Sequence, residues 1–228
     1  MIKRFANRLH ERVVRALTQH RESHGLQLSM YIEAAPLDEA ELWPKLFAAL
    51  DLISAHCPVW INRMSELGNS VHIRRIPGTR AMLTHGRYTI LDPYLLADFL
   101  PAQIAASIVH EATHAVLHAK GIPFDPQAPW KHERVCRRAE VRFGRALLAA
   151  GVEGAQAVLD RAEGALLLPN EDVGVIIDQE ELHAIRIVTR LRDMPLPTWY
   201  KRRMARRHGV SATAVARLLN ENGERDSA

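Results

Sequence analysis

The stretch Gln103 to Leu117, QIAASIVHEATHAVL, constrains the fold more than any other part of the chain. Its fifteen residues are heavily apolar yet include His110, Glu111 and His114. A helix so apolar has to lie inside the molecule. An acid and two imidazoles buried within it need compensating partners, because unpaired polar or charged groups are costly to remove from water. The rest of the chain must therefore surround this helix and supply those partners.

His110-Glu111-Ala112-Thr113-His114 is an HExxH sequence. Two histidines four residues apart lie one turn apart on one helix face, so both imidazoles can reach a single zinc ion. Glu111, beside the first of them, is placed to act as general base on a water and then as proton donor to a leaving amine. His118 extends the stripe, but it lies eight residues after His110, roughly 12 Å along a helix. Zinc–nitrogen bonds are about 2.0–2.1 Å, so one ion cannot hold both ends. His118 is expected to support the site from outside or to be merely helical. A metzincin arrangement would need Gly at 117 and His at 120, where the chain has Leu117 and Lys120.

A third protein ligand must come from elsewhere. Glu133 lies 19 positions after His114 (133 − 114) on the next expected helix. With "HEATH" and this spacing, the sequence resembles the gluzincin class of zinc metallopeptidases, whose pattern is HExxH, eighteen intervening residues, then Glu. The resemblance covers roughly residues 71–151. "HEATH" with "ERVCRRAEVRF" is also similar to bacterial metallopeptidases of undefined substrate. It implies a minimal zincin-like domain with one Zn2+ per chain, held by His110, His114 and Glu133 with the fourth position open. Glu140, seven residues on and sharing a face with Glu133, is the rival ligand or a partner for a ligand histidine. An exposed ion-pair stripe of Glu133, Arg137 and Glu140 is the plainer alternative. The resemblance further implies a peptide or protein substrate bound by strand addition, for which "GRYTILD" is the natural segment. Tyr88, Tyr94, His85 and Arg137 are the candidates to assist at the oxyanion.

Around this core the periodicity is mostly helical. Ile2, Phe5, Leu9, Val13 and Leu17 recur at the spacing of an amphipathic helix, and "PLDEAELWPKLFAALDLISAHCPVWINRMSEL" continues helically with Asp38 as a cap. "SVHIRRI", "RAMLT" and "RYTIL", separated by "PGT" and "HG", predict a three-stranded antiparallel meander over Val71 to Leu91. Helices follow through Ala119, from Pro129 to Gly151, and over Glu153–Leu166, Asp178–Arg192, Trp199–His208 and Ser211–Asn220. The expected class is α+β, mostly helical, with the small sheet beside the HExxH helix. Residues 1–70 form an N-terminal helical segment, 71–151 the catalytic core and 152–228 a C-terminal helical segment.

Composition narrows the setting. Apolar residues make up 47% and charged residues 25% of the 228, the balance of a soluble globular chain. No run of about 18 apolar residues predicts a transmembrane segment, and the N-terminus lacks the apolar core of a secretory signal. Cys57 and Cys136 have no scaffold spacing and read as buried thiols of a reducing, cytoplasmic compartment. Aromatic residues, at 6%, are too sparse for a nucleic-acid stacking platform over most of the chain. Charge is uneven, with Lys201, Arg202, Arg203, Arg206, Arg207 and Arg217 between Pro197 and Leu218 and no acid among them. "RMARRHGVSATAVARLLNEN" resembles a helix-turn-helix within residues 201–220, so Arg203, Arg206, Arg207 and Arg217 could face DNA phosphates. Two ordinary packed helices give the same pattern. The functional expectation is a zinc metallopeptidase. The alternatives are a DNA-binding regulator with a zincin-like sensor or protease domain, and a zinc-binding interaction domain without turnover. The sequence does not set the oligomeric state.

Overall fold

A five-stranded mixed sheet and six helices are defined in the computed structural model, whose described residues are 18–31, 39–74, 76, 81–125, 127–170, 199 and 203. The strands are β1 Gln19–Ser23, β2 Leu26–Met30, β3 Ser70–Ile73, β4 Ala81–Thr84 and β5 Tyr88–Leu91. The helices are α1 Glu39–His56, α2 Pro58–Glu66, α3 Pro93–Asp98, α4 Pro101–Ala119, α5 Trp130–Ala149 and α6 Ala155–Leu167. All of them fall in one compact unit, residues 1–75 and 80–174. The second unit, 76–79 with 175–228, contributes Ile76, Trp199 and Arg203 to the described residues. Trp199 and Arg203 are helical and exposed. The helix expected over Ile2–Leu17, the Asp38 cap, and the remainder of the helices expected beyond Asp178 lie outside the described residues, as do Arg206, Arg207 and Arg217.

The sheet corrects the expected three-stranded antiparallel meander. Its order is β1-β2-β3-β5-β4, with β2–β3 and β3–β5 parallel and the two outer pairs antiparallel. Burial explains the order. Thr89, Ile90 and Leu91 of β5 are buried, as a central strand covered on both faces must be, whereas every residue of β4 is half-buried. β4 therefore takes the edge, and β5 inserts between it and β3. The turn joining them has positive φ at both His85 and Gly86, and the Arg87 amide donates to the Thr84 carbonyl. That mirror-image turn suits hairpin twist, and glycine adopts it without strain. The N-terminal hairpin β1–β2 lies in a segment expected to be helical. Its polar outer strand, QHRES, is mostly exposed and carries no apolar alternation to betray it.

The long helix expected before the sheet breaks at Cys57–Pro58. Proline disfavours helical backbone at the preceding residue, and Cys57 has an extended φ of −149°. α4 is central, as its composition demands: Ile104, Ala105, Ala106, Ile108 and Val109 are fully buried. Leu46, Leu50 and Ile53 of α1 and Phe143 and Leu147 of α5 join it in one core. Each such side chain stabilises the fold by roughly 1.5–3 kcal/mol relative to exposure. α6 packs on α5 at Gly144, where a Cβ would come within 3.0–3.1 Å of Leu159 and Val158. The absent side chain lets the two helices approach closely. No helix of the described residues is long and apolar enough to cross a membrane.

Candidate metal centre

α4 and α5 face each other at His110, His114 and Glu133. One Glu133 carboxylate oxygen lies 3.2 Å from His110 Nε2, and the other lies 3.2 Å from His114 Nε2. The two Nε2 atoms are themselves 3.2 Å apart. Zinc holds such ligands at about 2.0–2.2 Å, so neighbouring ligands of a tetrahedral ion lie roughly 3.3–3.5 Å from each other. The donor triangle has that size and that chemistry, and the residues fit the ion. His110 is buried, while His114 and Glu133 are partly open to solvent.

Glu140 takes the supporting role rather than a place in the triangle. It is completely buried, and His110 Nδ1 donates to it at 2.5 Å. Arg137 donates to the same oxygen at 2.7 Å, and Arg161, from α6, donates to the other at 3.1 Å. This arrangement fixes the His110 ring with Nε2 toward Glu133 and His114, the usual function of a carboxylate behind a ligand histidine. Arg137, a candidate for the oxyanion, is thus engaged with Glu140. Glu133, Arg137 and Glu140 do not form an exposed stripe: Glu140 is wholly inside and the other two are half-buried.

Glu111 is buried beside the triangle, and the backbone amide of Leu83 in β4 donates to its carboxylate. Burial raises its proton affinity, against the pull of the His110 and His114 charges. Burial by itself would lower the His110 ring and raise Glu133, but their mutual hydrogen bond prevails for both. His110, also bonded to Glu140, is raised to about 9, and Glu133, also bonded to His114, is held well below the usual carboxylate range. Glu140 is likewise held low, since the His110 hydrogen bond and the Arg137 and Arg161 charges outweigh its burial. Without a metal, the cluster therefore stores a proton on His110 between two carboxylates.

The remaining sequence candidates lie apart from the triangle. His118 is exposed on the last turn of α4, and its ring rests where a Gly86 side chain would be, with Nδ1 2.6 Å from that Cβ position. His85 and Tyr88 pack edge-on against each other beside the same turn, and Tyr88 also meets His72 and Arg87. Tyr94 sits in the first turn of α3, where its amide donates to Asp92. The "GRYTILD" segment is not an edge strand, because β5 is flanked by β3 and β4. The outermost of the described strands, β4 (Ala81–Thr84), is the one that packs on the motif helix.

Three contributors were not singled out from the sequence. Arg161 reaches Glu140 from a helix twenty-one residues on, a pairing no local spacing announces. His132 stacks on His114 with ring centroids 6.0 Å apart and is buried with its Nε2 unpartnered among the described residues. Its position next to Glu133 could have drawn attention to it. Cys136 is fully buried, and its Sγ lies within 4.8 Å of ligand nitrogens of both His110 and His114. Cys57, expected to be buried, is only half-buried, and both thiols are free. No family model, curated protein or solved structure matches this chain.

Proposed function

We propose that the chain is a zinc-dependent metallopeptidase of the gluzincin type. The supporting observation is the triangle of His110, His114 and Glu133 donors at 3.2 Å with Glu111 buried against it. Three protein ligands leave a fourth position free, the pattern of a catalytic rather than a structural zinc site. Bound there, zinc supplies Lewis-acid polarisation of a water and of the scissile carbonyl.

The chain's own groups do the rest. Glu111 accepts the proton of the attacking water and returns it to the leaving amine. Its raised proton affinity suits that exchange better than an ordinary surface carboxylate would. Glu140 holds His110 in the productive orientation, with Arg137 and Arg161 balancing its charge. A peptide substrate would bind in extended form beside the motif helix. Two unpaired thiols are in keeping with action in the cytoplasm.

The test is metal analysis of purified protein beside digestion of a broad peptide library. Wild-type protein should carry one zinc per chain, lost in His114→Ala and Glu133→Ala. Glu111→Gln should keep the zinc and lose about 10²–10⁴-fold in cleavage rate. Full zinc occupancy in His114→Ala would sink the proposal, as would undiminished cleavage by Glu111→Gln.

A further inference from the structure

The histidine pair has two neighbours on α5 able to complete a metal site. Glu133 is the nearer, touching both Nε2 atoms. Cys136 lies three residues further along the helix, so the two side chains share a face at roughly 5–6 Å. Its Sγ is within 4.8 Å of a ligand nitrogen on each histidine. It is fully buried and forms no disulfide.

The two donors differ in kind. A carboxylate oxygen is hard, and with two imidazoles it suits zinc. A thiolate is soft, and two imidazoles with a thiolate suit thiophilic ions such as Cd2+ or Cu+. A donor set of either kind can form around the same pair of rings.

We propose that Cys136 is an alternative donor of this centre, so that thiophilic cations are held by His110, His114 and Cys136. This rests on the reading of His110 and His114 as metal ligands. Binding breaks the Cys136 S–H bond and forms a sulfur–metal bond. The proton leaves to solvent and no electron is transferred. The burial of the thiol has a consequence here: the cation has to enter past the partly open His114 and Glu133 to reach it.

The experiment titrates metal-free full-length protein with Cd2+ and follows thiolate-to-metal charge-transfer absorption, with zinc content measured in parallel. Wild type should develop the absorption to a stoichiometric end point. Cys57→Ser should retain it. Cys136→Ser should lose it while still taking up zinc as wild type does. Cd2+ binding by wild type without that absorption overturns the Cys136 assignment and leaves the histidine site intact. Absorption that persists in Cys136→Ser also overturns it. Failure of wild type to bind either Cd2+ or Zn2+ overturns the metal reading itself. Because the first outcome needs no variant, a folding defect in Cys136→Ser cannot protect the proposal.

Discussion

α4 and α5 meet at the candidate centre but carry their polar groups in opposite ways. α4 is buried from Ala102 to Thr113 with one half-buried position, so His110 and Glu111 have no solvent face to turn to. α5 is amphipathic. His132, Cys136, Ala139, Glu140, Phe143 and Leu147 point inward, while Lys131, Val135, Arg138, Arg142 and Arg145 are exposed. The difference assigns the work. The helix that bears the motif cannot balance its own charges, and the neighbouring helix supplies Glu133 and Glu140 to do so. The electrostatic balance of α4 is thus a property of how α5 is docked.

That division can be broken by titration. His110 is raised to about 9 by carboxylates of α5, which overcome its burial. Zinc must displace this proton, so apparent zinc affinity should rise about tenfold per pH unit from pH 6.5 until it levels near 9. The metal-free protein should move the other way. A folded-state proton affinity above the unfolded value contributes stability in full below about pH 6.5, and that contribution is lost as pH rises through about 9. Competition titrations with a chromophoric chelator, and thermal melts of metal-free protein across that range, check both signs.

Glu140→Gln should come next in size. It keeps the shape but removes the charge behind His110, and zinc affinity should fall about 10–100-fold, with cleavage falling in step when zinc is subsaturating. An unchanged affinity would mean that α4 orients His110 by itself. Gly144→Val attacks the docking of α6 instead. Its branched side chain would meet Leu159 and Val158 where even a Cβ is tight, costing about 1–3 kcal/mol. Scanning calorimetry should then show Tm lower by roughly 2–10 °C. Arg161→Ala should have the smallest effect, under about tenfold in zinc affinity, since Arg137 still pairs with Glu140 and Arg161 is partly exposed.

How much of this was legible in the sequence follows the same contrast. His110, Glu111 and His114 are close in the chain and fixed by helical periodicity, so their grouping needs no tertiary information. Glu133 could be named only because its spacing matched a known pattern, and spacing does not reveal that Glu140 is buried behind His110 while Glu133 meets both Nε2 atoms. The reach of Arg161 to Glu140, and the approach of Cys136 to the histidines, depend on how helices cross, which periodicity does not encode. The sheet went wrong for a related reason. Short strands announce themselves by residue type, but their pairing is decided by which one can be buried on both faces. Thr89, Ile90 and Leu91 held that information, and simple order along the chain overrode it. β1 gives no signal within the segment expected to be helical, because a short polar strand carries no apolar alternation.

The glycine at the tip of the β4–β5 turn has a geometric consequence. Leu83 touches Glu111, and Gly86 abuts His118. Glu111 and His118 lie seven residues apart, about 10.5 Å along the helix. The β4–β5 hairpin is therefore pinned to the helix at two separate points along its length. His118, rejected as a ligand, becomes one of those pins. A bulkier residue at Gly86 would push against His118 and shift the amide that Leu83 offers to Glu111.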